Sequence, residues 1–167
     1  AYLFVGSDAS AKRVAAVAFA QALLCKAPRA DGDACGNCRT CEAVGGTGHA
    51  DVRIWDVPEG EKTFKVEQVR ELIARVQNTP LSAPRQIQIL AALDQMNPVG
   101  WNALLKTLEE PPPTTVLVLL ARDLAGVLPT LVSRCQLIRF GPVPALYVPT
   151  APPPLPAPGA AMAWADG

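Results

Sequence analysis

Four of the five cysteines fall within 17 positions: Cys25, then the run Cys35-Gly36-Asn37-Cys38-Arg39-Thr40-Cys41. Two consecutive C-x-x-C steps let thiolates converge on one ion, and Gly36 and Asn37 permit the tight turn this requires. Four thiolates complete tetrahedral zinc with no open position, which is the chemistry of a structural metal. Cysteine-ligated iron and sulfur is the second chemistry open to this set, and unliganded buried thiols the third. His49 has the donor atoms to replace one thiolate, but a single His beside glycines is ordinarily a surface residue. Cys135 is remote in sequence and reads as a small core residue.

A second constellation lies near the start, where GSDASAKR over Gly6–Arg13 follows the apolar run AYLFV. A phosphate-binding loop of the form G-x-x-x-x-G-K-[ST] uses its second glycine for close backbone approach, its Lys for charge and its hydroxyl for magnesium. Gly6 and Lys12 fit that frame; Ala11 stands where the second glycine belongs and Arg13 where the hydroxyl belongs. On spacing alone the favoured reading is an ordinary strand-to-helix turn with a solvated Lys12. Asp94, after the apolar run Ile89–Leu93, is the carboxylate that could hold magnesium, although such a residue is more commonly a cap or a solvated turn residue.

Elements that would position these residues can be read from periodicity. Tyr2–Val5 suits a buried strand, and Val14, Val17, Ala18, Gln21 and Ala22 recur at helical spacing up to Cys25, with Ser10 as the expected cap. Residues 26–50 show no sustained period and read as an irregular inserted module. Asp51–Val57 alternates like a strand, and Val66, Val69, Leu72, Ile73 and Val76 share one face of a helix over 65–77. Gln86–Leu93 starts as a half-alternating strand. Asn97-Pro98 predicts a cap and first helical residue, with Trp101, Leu104, Leu105 and Leu108 buried until Pro111–Pro113 stops the helix. Thr115–Ala121 reads as a strand covered on both faces, followed by a short helix over 129–134 and a last strand over 136–140. Strands alternating with helices predict an α/β domain with a mainly parallel sheet, whose ligands sit beyond the carboxyl ends of the strands.

The bulk numbers agree with one such domain: 167 residues, 50% hydrophobic, with 15 basic against 15 acidic side chains. That balance gives no net field to attract nucleic acid or membrane, and no run approaches the roughly 18 apolar residues a bilayer span needs. The expected compartment is the cytoplasm, where thiols stay reduced and metal binding outranks disulfides. From Gly141 onward eight of 27 residues are proline and only Asp166 is charged, so 141–167 reads as a proline-rich tail that builds no core.

Several segments together resemble one family: CGNCRTC, GTGHADVRIWDV, VEQVRELI, WNALLKTLEEPPPTT and LPTLVSRCQLIRF are similar to the clamp-loader subunits of bacterial DNA polymerase III. The resemblance covers about residues 1–140 and implies a three-layer P-loop domain of the AAA+ (RecA-like) type, with a zinc module inserted at 25–41. It also implies that the helical lid and collar of the family are absent. Motor subunits of the gamma and tau type carry an acidic pair that falls here on Ala91 and Ala92, and a phosphate-sensing threonine that falls near Ala121. With Ala11 and Arg13, these departures make the chain most similar to the delta-prime branch, a stator expected neither to bind ATP functionally nor to hydrolyse it. The alternative is an active ATPase of the gamma/tau type. The resemblance further implies that Cys25, Cys35, Cys38 and Cys41 hold structural zinc. It implies that Arg134, in the Ser133-Arg134-Cys135 triplet, is an arginine finger reaching the ATP of a neighbouring motor subunit. The implied partners are gamma/tau and the delta wrench subunit, with the sliding clamp and primed DNA reached through the complex.

Overall fold

A computed structural model describes residues 1–141; the proline-rich stretch expected over 141–167 lies, beyond Gly141, outside the described residues. The chain order is β1 (Tyr2–Val5), α1 (Ala9–Leu24), α2 (Arg39–Glu42), a π-helical turn (Ala43–Thr47), β2 (Val52–Trp55), α3 (Val66–Val76) and β3 (Gln86–Leu90). There follow a 3₁₀ turn (Leu93–Gln95), α4 (Pro98–Glu109), β4 (Thr115–Ala121), α5 (Pro129–Val132) and β5 (Gln136–Arg139). The five strands form one sheet in the order β2-β3-β4-β1-β5, and every pairing is parallel.

Period-two alternation divides the core into two layers. Leu3 and Val5 of β1, Leu90 of β3 and Leu117, Leu119 and Ala121 of β4 face α3, α4 and α5, meeting Val69, Leu72, Val76, Leu104, Leu108 and Leu131. Phe4, Ile87, Ile89, Val116, Val118 and Leu120 face the other way, onto Ala16, Ala20 and Leu24 of α1. The small residues Ala16 and Ala20 let α1 lie close to the sheet, and the result is the expected three-layer α/β arrangement.

Local signals account for the element ends, with some corrections. α1 is capped by Asp8, whose carboxylate accepts from the Ala11 amide at 2.9 Å, and not by Ser10. Asn97 caps α4 as expected, accepting from Gly100 N at 2.7 Å with Pro98 in the first turn. β3 stops at Leu90, and Leu93 begins the 3₁₀ turn. Gln86 and Gln88 are fully buried, where alternation had suggested a half-exposed strand. Trp55 Nε1 donates to Gln88 Oε1 (2.8 Å), Gln88 Nε2 to Gln86 Oε1 (3.0 Å), and Gln86 Nε2 to the carbonyls of Val76 (3.1 Å) and Asn78 (2.6 Å). A chain of satisfied amides removes the cost of burying them.

Candidate functional site

All five strands point the same way, so the residues after β1, β2, β3 and β4 gather at one end of the sheet. There Ser7, Ser10, Lys12, Arg13, Asp56, Ala91, Ala92, Asp94 and Arg122 line a cleft of about 420 Å³. This is where a parallel sheet presents its ligand. Lys12 and Asp94, the carboxylate the sequence offered as a candidate magnesium ligand, both line this cleft together with Ala91 and Ala92, and Gly6 meets Lys12 through its carbonyl.

Lys12, however, is not the solvated residue expected from spacing: it is 3% exposed. Its ammonium donates to the carbonyl of Gly6 and, at 2.8 Å, to that of Ala121. Burial pulls the Lys12 pKa down, and the nearby Asp94 and Asp8 carboxylates oppose that pull. Gly6 is required for packing: a Cβ there would stand 2.6 Å from the Phe140 carbonyl oxygen and 2.8 Å from Phe140 Cβ. Arg13, at the expected hydroxyl position, forms an ion pair with Asp56 at 2.7 Å across the cleft mouth.

The cysteine cluster lies at the C-terminal end of α1. The Sγ atoms of Cys25, Cys35, Cys38 and Cys41 all fall within 4.8 Å of one another, with Cys25–Cys35 and Cys38–Cys41 each at 3.5 Å. Tetrahedral zinc with Zn–S near 2.3 Å implies S···S edges of about 3.8 Å, so the set has the size of a zinc tetrathiolate. The Cys35 amide lowers the Cys25 thiol against burial, and the Cys41 amide likewise brings Cys38 down to about 6. Cys41 is pushed up to about 12 by burial and by the neighbouring Cys38 thiol. A divalent cation held here would supply the charge that lets Cys41 join the others as a thiolate. Gln21 of α1 ties the cluster to the main domain by donating to the Cys41 carbonyl at 2.8 Å. Cys135 stands apart, half-buried beside the core.

Arg134 is exposed, donates to Thr130 O at 2.7 Å and pairs with Glu109 at 3.1 Å. It precedes β5, whereas the cleft lies after the strands, so the length of β5 separates them, about 13 Å for four residues.

Two features escaped sequence reasoning. Asp51 is 2% exposed and accepts from Leu81 N (2.5 Å), from Ser82 N and Oγ (both 2.8 Å) and from Ala83 N (2.8 Å). Burial would raise its carboxyl, but these donors outweigh burial and hold it below the usual carboxylate range. The only hint in the sequence was an Asp at a strand start facing a loop bounded by Pro80 and Pro84. The second feature, the ordered α2 and π-turn inside residues 26–50, has no periodic signal because each is about one turn long.

Fold and site define a class: a parallel α/β domain of nucleotide-binding architecture carrying a metal-type cysteine module. The family described as "DNA polymerase III, delta subunit" matches residues 1–144, and the chain belongs to that family, with delta-prime subunits among its matches. It is 40% identical to the DNA polymerase III subunit delta' of Pseudomonas aeruginosa over 81% of this chain and 41% of that protein. It is 30% identical to the gamma/tau subunit of Mycoplasma pneumoniae over 83% of this chain and 20% of that protein. A gamma subunit-related protein of DNA polymerase III from Thermotoga maritima shares the fold, with a TM-score of 0.63 at 23% identity, covering 87% of this chain and 42% of that one. The chain thus spans about two fifths of the length of its delta' relatives. Among the described residues no helix is long and apolar enough to cross a membrane.

Proposed function

We propose that this chain serves the bacterial clamp loader as a non-hydrolysing stator of the delta-prime type. In this reading residues 1–140 form a nucleotide-fold domain kept for packing, with a structural-zinc module at 25–41 held by Cys25, Cys35, Cys38 and Cys41. The domain braces gamma/tau and delta subunits, touches the clamp and primed DNA through the complex, and lends Arg134 to the ATP of an adjacent motor subunit. The observation that carries the proposal is the state of Lys12: its ammonium is engaged by Gly6 and Ala121 in a cleft where Ala91 and Ala92 offer no magnesium ligand. The separation of Arg134 from this cleft by the length of a strand favours action on a neighbour's nucleotide.

Equilibrium binding of a fluorescent ATP analogue with magnesium tests the reading. The expected result is no saturable signal at micromolar nucleotide, for the wild type and for Lys12→Ala alike. Tight binding abolished by Lys12→Ala would instead identify an active ATPase of the gamma/tau type.

A further inference from the structure

A second concavity, of about 390 Å³, lies beside the cysteine module and shares no lining residue with the cleft at the strand ends. Its size falls within the roughly 300–1,000 Å³ of small-ligand pockets. Lys26, Arg39, Thr40, His49 and Ser82 line it, and no carboxylate does. Among the described residues neither Lys26 nor Arg39 makes an ion pair. His49 accepts the Asp51 amide on Nδ1 at 3.1 Å, so its neutral ring carries the proton on Nε2 and can donate there. Thr40 is 8% exposed as a residue and presents its hydroxyl among the pocket's lining groups. Asp51, which accepts the hydroxyl of the pocket residue Ser82, is answered by four donors in all.

Two cationic side chains, an imidazole N–H and a hydroxyl lining one pocket without an acid are the donor set of an oxyanion site. We propose that this pocket binds a phosphoryl group, either as free phosphate or as a phosphate of a nucleic-acid backbone. The site is independent of the stator reading, since it uses neither the strand-end cleft nor Arg134. The competing account is that Lys26 and Arg39, adjacent in sequence to Cys25 and Cys38, only balance the negative charge of a metal tetrathiolate.

The zinc-loaded chain should be titrated at low ionic strength with inorganic phosphate, followed by amide NMR shifts, and with a short labelled oligothymidylate, followed by anisotropy. Saturable shifts at Thr40 and His49 are expected, weakened at least about tenfold by the Lys26→Ala/Arg39→Ala double variant and also by Thr40→Val. Binding of phosphate alone assigns the free ion as the source. Oligonucleotide binding, with a log–log salt slope that falls by about 0.7 for each cation removed, assigns the backbone. Absence of saturable binding for both probes would overturn the proposal. So would binding that survives the double variant and is reduced equally by Arg70→Ala on the exposed face of α3. If the double variant loses zinc, Thr40→Val, which alters no charge, decides the matter.

Discussion

Lys12 and Gly6 occupy loop positions a nucleotide would need, and the protein itself engages both. Replacing Lys12 with Met keeps the stem but leaves the Gly6 carbonyl without its buried donor, at a cost of about 1–3 kcal/mol. Gly6→Ala drives a methyl into Phe140, just after β5, and should cost about as much. Thermal unfolding checks both, and a lowered Tm for each identifies the loop as a packing element. Asp51 carries a pH signature. A carboxyl held below its ordinary value stabilises the fold fully above the unfolded pKa, about 3.9, and loses that contribution as pH falls through the lower folded value. Asp51→Asn should therefore cost about 3 kcal/mol at neutral pH and flatten the acid limb of the stability profile, read by urea unfolding across pH. The sequence could not reveal either residue's state: a lysine after a glycine loop is ordinarily solvated, and the donors to Asp51 lie 30 residues or more away.

At the level of elements, the parallel sheet and the long helices were legible because each carries its own period: five apolar positions mark α3, and the unbroken run Thr115–Ala121 marks a strand buried on both faces. The glutamines of β3 misled because alternation reports polarity, while burial was decided by a partner on another strand, Trp55. The convergence of the four cysteines was legible because C-x-x-C spacing fixes local geometry, and Cys25 joins the cluster through the end of α1. One zinc per chain is expected, measured by a chromophoric chelator, with Cys38→Ser lowering affinity at least about tenfold. Chelation should strip amide-exchange protection from α2, the π-turn and the last turn of α1 while β1, β3 and β4 stay protected. Protection lost across the whole sheet would mean that the module is not an appendage but part of the cooperative core.

At the scale of the whole molecule, the parallel sheet gives the domain two chemically different ends. The strand-end cleft carries the engaged loop, and the opposite end carries Arg134 at the entry to edge strand β5. In the proposed reading Arg134, set apart from its own cleft, serves a neighbouring subunit, and its fork suits phosphate oxygens in a way lysine does not. Arg134→Ala forfeits one exposed ion pair with Glu109, worth about 0–1 kcal/mol, so folding and zinc content should be unchanged. In a clamp loader assembled with motor subunits, single-turnover hydrolysis at the site facing this chain should fall by roughly 10³. The steady-state rate of the ring should fall only by the share which that site carries. Arg134→Lys should recover little, because charge without the fork leaves the transferring phosphoryl group misaligned. A lysine variant as fast as wild type would reduce Arg134 to a source of field, and an unchanged rate in the alanine variant would leave it a surface partner of Glu109.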